Sequence, residues 1–229
     1  MKLKRSKTYK LTLLSPLYYR TKVESGAAEA TTTSPWIGDI ALLYAINNSL
    51  CLKHVDFSYT SHKPDYSELM DLGIVLSIAE PLKSVRFTKV YDIATNFLSE
   101  GFPQDKKIND FSRASMRNWL RRQGIEPGNE FIFSAFFLDD NRNLPESFTI
   151  RLGNTKECLA VAEEINNRTQ VEISLNLYTI SLLRGREKVL DRIKGILSSK
   201  TEIQIEQVLP QYVLAKGLSV GDVEQLILN

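Results

Sequence analysis

FIFSAFFL, residues 131–138, is the stretch of this sequence that best predicts its fold. Seven of its eight residues are apolar, and it lies between two turn-forming segments, EPGN at 126–129 and DDNRN at 139–143. A short, nearly continuous apolar run between turn signals is typical of a strand that is buried on both faces. We therefore predict that residues 131–138 form the central strand of a sheet.

Shorter apolar runs on both sides of this stretch predict further strands. The pattern of alternating apolar and polar residues is clearest in residues 171–180, which predicts a half-exposed strand. Residues 147–153 are predicted to pair with the central strand as a hairpin, and residues 158–165 are ambiguous between helix and strand. The other predicted strands are residues 8–14, ended by Pro16, and residues 73–79, 84–91 and 201–209.

Two segments have the spacing of helices. Ser34 is predicted to be an N-cap with Pro35 at the first helical position, and apolar residues follow at helical spacing until Asn47 or Asn48. REKVLDRIKGIL, residues 186–197, has its apolar residues on one helical face. Strands broken by two helices predict an α+β fold, an antiparallel sheet with helices on one face, and a ferredoxin-like (RRM-like) core is the natural candidate.

The chain is predicted to be a single domain over residues 1–229, because no linker rich in proline or glycine divides it. Within that domain, residues 25–34 are small and polar and are predicted to form a mobile loop. Residues 101–124 are predicted to be a basic insertion in the core.

Composition excludes several classes of protein. Hydrophobic residues make up 43% of the chain, which is ordinary for a globular protein. No apolar stretch is long enough to span a membrane and the N-terminus does not resemble a signal peptide, so a cytoplasmic location is expected. Cys51 and Cys158 are far apart and there are two histidines, so neither a disulfide framework nor a metal site is indicated. Glycine-rich phosphate loops are absent, and no cofactor is expected.

Positive charge is distributed unevenly, although the net charge is only +2. Residues 1–10 carry five basic residues and no acid, and residues 105–122 carry six basic residues and two acids. Cationic patches on a nearly neutral protein indicate contact with nucleic acid through part of the surface.

The most basic window is DFSRASMRNWLRRQG, residues 110–124. If it is helical, Arg113, Arg117 and Arg121 share one face, where they repel one another unless an anion lies between them. Guanidinium groups at this spacing suit the phosphates of a nucleic acid. The alternative is a solvated basic face above packed Met116 and Trp119.

One catalytic alternative is metal-independent cleavage of RNA by a histidine, a lysine and a tyrosine. Residues of these types cluster in one segment, which also has the composition of a surface loop. They are His54, Tyr59, His62, Lys63 and Tyr66.

Several short motifs, taken in order, resemble one known family. They are SPWIGDIALLYAI at 34–46, EPL at 80–82 followed by FTKVYDIATNF at 87–97, FSRA at 111–114, EPGNEFIFSAFFL at 126–138, IRLG at 150–153 and VLAKGL at 213–218. Together they resemble the small RAMP-superfamily (Cas-five-type) subunit of type I-D CRISPR Cascade complexes. Asn154 departs from the family pattern, which has a basic residue directly after RLG. The helix region REKVLDRIKGIL, residues 186–197, has no counterpart in that pattern, so the resemblance implies least for residues 155–205.

The resemblance implies a ferredoxin-like RAMP fold and a place in a ribonucleoprotein. Such subunits hold the 5′ handle of the CRISPR RNA (crRNA) beside the large Cascade subunit and a backbone RAMP subunit. A separate endonuclease matures the RNA in type I-D systems, so a non-catalytic RNA-binding scaffold in antiviral defence is expected. Contact with target-flanking DNA is left open. The alternatives are a metal-independent repeat RNA endonuclease and a protein-only scaffold.

A single-stranded handle requires cations for its phosphates and aromatic rings for its unstacked bases. Tyr19 and Trp119 are the candidate stacking rings, with Tyr18 and Phe111 as further choices. The candidate cations are Arg20, Lys22, Arg86, Lys89, Arg113, Arg117, Arg121, Arg122 and Arg151. Of these, Arg86, Lys89 and Arg151 are expected to line one sheet face.

Overall fold

The computed structural model describes residues 5–18, 30–54, 66–95, 118–139, 141–153, 157–165, 172–200, 202–209 and 212–228. The strands in these ranges are β1 (Arg5–Leu13), β2 (Ala30–Thr32), β3 (Ile74–Leu76), β4 (Glu80–Pro81), β5 (Tyr91–Thr95), β6 (Asn118–Gln123), β7 (Glu130–Phe137), β8 (Ser147–Leu152), β9 (Cys158–Glu164), β10 (Ile173–Asn176), β11 (Gln204–Leu209) and β12 (Tyr212–Leu218). The α-helices are α1 (Asp39–Leu50), α2 (Leu177–Arg184), α3 (Arg186–Ser199) and α4 (Val220–Leu228), and a 3-10 helix covers Ser67–Leu72.

The main sheet is antiparallel and has the strand order β3-β7-β1-β9-β8, with β4 also paired to β7. Strand β7 contains the apolar stretch FIFSAFFL and lies between β1 and the pair β3 and β4, which confirms the predicted central strand. The predicted hairpin between β7 and residues 147–153 is wrong. Both edges of β7 are already occupied, and β8 pairs with β9 instead.

The order of elements matches the ferredoxin-like core. Strands β1 and β3 run parallel, α1 connects them, and β7 lies between them, while β9 pairs with the other edge of β1. This split β–α–β arrangement confirms the predicted α+β class. Where the ferredoxin-like pattern has a second helix before its last strand, the described chain has β8.

The core between the main sheet and α1 is aromatic. Tyr9 stacks on Phe133 at 5.3 Å between ring centroids and meets the edge of Phe148 at 5.4 Å. Leu42 and Ile46 of α1 are fully buried in the same cluster. Burial of each such side chain contributes about 2 kcal/mol, so the register of β1 and β7 is fixed by this face.

A second core lies behind the other face of β3 and β7. Val75 and Phe136 belong to it, together with buried residues of α2, α3, α4, β10 and β12. The helix α3 confirms the helix predicted over 186–197, and β11 confirms the strand predicted near 201–209. The sheet is therefore covered by α1 on one face and, at its β3–β7 end, by this second unit on the other.

Helix α1 begins at Asp39, so the predicted N-cap at Ser34 is wrong. Gly38 is the N-cap and has no capping side chain. The residues before it stay extended because Ile37 exchanges two backbone hydrogen bonds with Ala79, at 3.0 and 2.9 Å. The helix ends at Leu50, close to the predicted end.

Three other segments differ from their predictions. Residues 84–90 are not a regular strand; they make a single bridge, at Phe87, and β5 begins at Tyr91. Residues 30–32 of the predicted loop form β2, which pairs with β6, and residues 25–29 lie outside the described residues. Residues 173–176 are completely buried and lead directly into α2, because they lie between the two cores.

Candidate nucleic-acid interface

Three chain segments meet at one buried point beside the main sheet, which we call the junction and define by Leu17, Phe87 and Ile125. Leu17 and Ile125 exchange backbone hydrogen bonds at 3.0 and 2.9 Å, and Phe87 pairs with Ile125 on its other side. Leu17 and Ile125 are fully buried. The junction therefore fixes where each of these segments leaves the core.

Two glycines allow the segment that contains Leu17 and Tyr18 to pass close to its neighbours. A Cβ atom at Gly124 would lie 2.6 Å from Cε1 of Tyr18 and 2.8 Å from the carbonyl oxygen of Leu17. At Gly153, where φ is +90°, a Cβ atom would lie 2.9 Å from the carbonyl oxygen of Tyr18. The ring of Tyr18 thus packs against the protein backbone, which makes it a structural contact of the junction.

Asn129 fixes the backbone at Arg86, in the segment that carries Phe87 of the junction. Its Oδ1 accepts a 3.0 Å hydrogen bond from the N–H of Arg86, and its Nδ2 donates to the carbonyls of Arg86 and Glu126 at 3.1 and 2.8 Å. The Asn129 side chain is buried, whereas Arg86 and Lys89 are exposed. The guanidinium of Arg86 lies near the tip of the turn at Gly128, where φ is +76°.

The sequence motif did not identify Asn129 as a functional candidate, although EPGN at 126–129 was recognised as a turn. A turn signal predicts local backbone geometry. It does not say that the asparagine amide will reach a segment more than forty residues away, since that contact depends on the tertiary fold.

Arg121 and Arg122 lie in β6, so the helical spacing considered for residues 110–124 is wrong over residues 118–123. Here β6 pairs antiparallel with β5 and parallel with β2. Arg122 is in register with Tyr91, Arg121 with Asp92 and Trp119 with Ala94. The backbone hydrogen bonds of two neighbouring strands outweigh the local tendency of RNWLRRQ to form a helix.

The remaining candidates lie outside the described residues. Arg113 and Arg117 belong to the connection between β5 and β6, while Arg20, Lys22 and Tyr19 directly follow the Leu17–Tyr18 segment. Of the candidates in the described residues, Arg86 and Lys89 lie in the segment that carries Phe87 of the junction, and Trp119, Arg121 and Arg122 lie in β6, which precedes Ile125.

Arg151 lies on a different element, β8, two residues before Gly153, whose neighbours include Leu17 and Tyr18. It lies on the exposed side of β8, in register with Leu159 of β9. Arg86 and Lys89 are not on a strand of the main sheet. The expectation that these three cations line one sheet face is therefore wrong, because residues 84–90 leave the sheet to reach the junction.

Several lysines elsewhere are neutralised by acids of the same chain. The Nζ of Lys7 lies 2.6 Å from Oε2 of Glu164, and that of Lys53 lies 2.8 Å from Oδ2 of Asp71. In the described ranges, no salt bridge involves Arg86, Lys89 or Arg151. Within the described ranges, Arg86 and Lys89 therefore differ from Lys7 and Lys53, which have acidic partners.

The catalytic alternative concerns five residues, of which His54 and Tyr66 lie in the described part of the chain. It contains no group of three residues that could hold a metal ion. Burial raises the pKa of the Cys158 thiol to about 11, which makes it a poor nucleophile. Tyr66 packs edge-on against Tyr44 and Tyr178. His62 and Lys63 lie outside the described residues.

The buried carboxyl group of Asp39 has a raised pKa, and its hydrogen-bond partners give it a structural role. Burial raises its pKa to about 6, opposed in part by hydrogen bonds from the Thr179 hydroxyl at 2.5 Å and from Nδ2 of Asn176 at 3.1 Å. These bonds join the start of α1 to β10 and α2. Asp39 therefore connects the two cores of the protein.

Asp39→Asn is expected to remove a pH dependence of stability. Because the folded pKa of about 6 lies above the ordinary value of 3.8, Asp39 stabilises the fold fully below pH 3.8, and this contribution is lost as pH rises through 6. The free energy of unfolding of the variant, relative to that of the wild type, should therefore rise by about 2–3 kcal/mol between pH 4 and pH 7, as measured by urea unfolding. Glu187→Gln, at an exposed position of α3, should show no such gain; an equal gain there would contradict the assignment.

Comparison with known proteins identifies the family. The described strands and helices define an α+β protein with a ferredoxin-like core. The family model for the type I-D CRISPR-associated protein Cas5/Csc1 matches residues 4–211, and the chain belongs to that family. It is accordingly a subunit of a type I-D CRISPR effector complex.

No curated protein matches the chain. Among solved structures, a chain of the type III-B Cmr-β complex bound to cognate target RNA and AMPPNP is similar, with 11% identity and a TM-score of 0.37. The similarity covers 93% of this chain and 84% of that one. No helix in the described part of the chain is both long and apolar enough to cross a membrane.

Proposed function

We propose that this protein is a non-catalytic subunit that binds the 5′ handle of crRNA at the junction and along the β5–β6 hairpin. In the assembled complex it lies beside the large subunit and a backbone RAMP subunit. The observation that carries the proposal is the clamp on Arg86: a buried amide holds the backbone of an exposed arginine that has no salt bridge among the described residues.

The charges favour RNA over an acidic protein as the ligand of this site. Arg86 and Lys89 lie in the segment that meets residue 125 at the junction, and β6, which precedes that residue, carries Arg121 and Arg122 on its two opposite faces. A row of cations along connected segments matches the repeated phosphates of a single strand. Trp119, placed in β6 beside these cations, is the proposed stacking ring.

The test is a charge reversal at the junction. Arg86→Glu combined with Lys89→Glu is expected to weaken binding of a 5′-handle RNA at least tenfold in fluorescence anisotropy. The slope of log affinity against log salt should also fall by about 0.7 for each phosphate that the variant no longer binds. The matched control is Lys188→Glu with Lys194→Glu, which makes the same change of charge on the exposed surface of α3. Equal weakening in both double variants would contradict a site at the junction.

The non-catalytic part of the proposal is tested separately. Purified protein incubated with repeat RNA in EDTA should give no discrete cleavage product. A product that disappears in His62→Ala would instead establish the metal-independent endonuclease considered from the sequence.

A further inference from the structure

Strand β11 lies at the edge of its sheet. It pairs with β12 on one side, and in the described ranges no strand pairs with its other side, which gives the order β10-β12-β11. Residues 204–207 are all exposed, and their pairing with β12 is regular from Gln204 to Gln207. The outer edge of β11 therefore presents a row of backbone N–H and C=O groups that no described strand pairs with.

The usual protection of an edge strand is absent from this part of β11. Edge strands of soluble proteins commonly carry lysine, proline or a bulge, which prevent pairing with another chain. Residues 202–209 contain neither lysine nor proline, and the register shift of β11 lies beyond Gln207, next to the turn into β12. The charge of Glu206 is neutralised by Lys216 of β12, with 2.7 Å between Oε2 and Nζ. The regular part of this edge is thus open to the addition of a strand.

Ile205 lies where a further strand would cover it. It is in register with Ala215 of β12, so the two side chains share one face of the sheet, and Ala215 is buried in the second core. Ile205 itself is 44% exposed. The second core therefore ends at an apolar side chain, and another strand beside β11 would extend that core.

The sequence of β11 is complementary to a second copy of itself. In an antiparallel pair about a two-fold axis at Ile205, each Ile205 lies opposite its copy and each Gln204 lies opposite Glu206 of the second copy. The amide can donate a hydrogen bond to that carboxylate, twice in the symmetric pair. A pair centred on Glu206 would bring the two Glu206 side chains together, and one centred on Gln204 would oppose Glu206 and Glu202. Both of these registers are disfavoured by like charges.

We propose that two copies of this protein pair through β11 and join their three-stranded sheets into one six-stranded sheet. A single pair of strands buries less than the roughly 800 Å² per partner of a standard interface, so the dimer forms at high protein concentration and dissociates on dilution. The inference goes beyond the proposed function. Because β11 is not part of the junction, the dimer and the RNA site can fail separately.

Two substitutions of opposite charge at Gln204 test the inference. Gln204→Glu places a carboxylate opposite Glu206 of the second copy, and we expect it to raise the dissociation constant of the dimer at least tenfold in sedimentation velocity. Gln204→Lys places a cation there and should lower that constant about fivefold. The matched controls are Gln225→Glu and Gln225→Lys, which make the same changes at an exposed position of α4 and should leave the constant within twofold of wild type.

Cysteine crosslinking tests the register of the pair. Opposite residues have Cβ atoms about 5 Å apart, which a disulfide can bridge after a small adjustment, whereas diagonal neighbours about 7–8 Å apart lie beyond its reach. In a Cys51→Ser background, which removes the exposed thiol, Ile205→Cys should form a disulfide-linked dimer on mild oxidation. Glu206→Cys alone should not, but a mixture of Glu206→Cys and Gln204→Cys proteins should.

Each other result overturns the inference. A wild-type chain that stays monomeric up to several hundred micromolar has no such dimer, and a dimer that responds equally to the Gln204 and Gln225 substitutions uses another surface. If the wild type is monomeric and Gln204→Glu lowers incorporation into the effector complex, another subunit occupies β11. If Gln204→Glu weakens binding of the handle RNA more than twofold, RNA occupies β11.

Discussion

Gly124→Ala is expected to lower the free energy of unfolding by about 2–3 kcal/mol, because the new methyl group has no room at the junction. Its Cβ atom would lie 2.8 Å from the carbonyl oxygen of Leu17, a backbone atom that accepts a hydrogen bond from the N–H of Ile125. The ring of Tyr18, at 2.6 Å, would also have to move. Urea unfolding followed by circular dichroism measures the change.

A second glycine provides a control of opposite sign. Gly195 lies in α3 and a Cβ atom there would meet nothing within 4 Å. Gly195→Ala should therefore stabilise the protein by about 0.5–1 kcal/mol through helix propensity alone. If Gly124→Ala is as well tolerated as Gly195→Ala, the close packing at the junction is not present in solution.

The same variant connects the junction to RNA binding. A shift of Tyr18 moves the start of the segment that carries Arg20 and Lys22, and a shift of Gly124 moves the end of β6. We therefore expect Gly124→Ala to weaken handle binding even below its unfolding temperature, whereas Gly195→Ala leaves binding unchanged.

The predictable parts of the fold are those set by local patterns that the tertiary structure reinforces. FIFSAFFL at 131–138 is apolar on both faces and is buried on both faces, because a core lies on each side of β7. The helix over 186–197 has an apolar stripe that meets the second core. In both cases the local sequence pattern agrees with the tertiary environment of the element, so the sequence alone was sufficient to predict that element.

The errors occur where a distant partner determines the backbone. Ser34 and Pro35 form a good helix start, yet Ile37 is held extended by Ala79. Residues 118–123 have helical residue preferences, yet β2 and β5 pair with them on both sides. Nothing within either window carries information about those partners.

The residue types of the candidate site could be recognised in the sequence, whereas their three-dimensional arrangement could not. The cationic residues were visible as clusters in the sequence. Their arrangement depends on Asn129, Gly124 and Gly153, which are ordinary turn residues by local pattern. Each acts through a contact with a segment far away in the chain, so its role appears only in the folded structure.

Asn129→Ala is expected to lower the free energy of unfolding by about 3 kcal/mol. The change removes three hydrogen bonds and leaves the N–H of Arg86 and the carbonyls of Arg86 and Glu126 without this partner. Removal of one side of a buried hydrogen bond costs about 1–3 kcal/mol for each group left unsatisfied. The carbonyl of Arg86 keeps the N–H of Glu126 as a donor, at 2.9 Å, which reduces the sum. Asn143→Ala, at an exposed position before β8, should change stability by less than about 0.5 kcal/mol.

A double-mutant cycle tests whether Asn129 contributes to RNA binding by positioning Arg86. At a temperature where all variants are folded, Asn129→Ala should weaken handle binding nearly as much as Arg86→Ala does. Once Arg86 is alanine, the Asn129 change should have little further effect, because the side chain that it positions is gone. Additive decreases in affinity would show that Asn129 affects RNA by another route, and unchanged affinity in Asn129→Ala would show that the clamp has no part in binding.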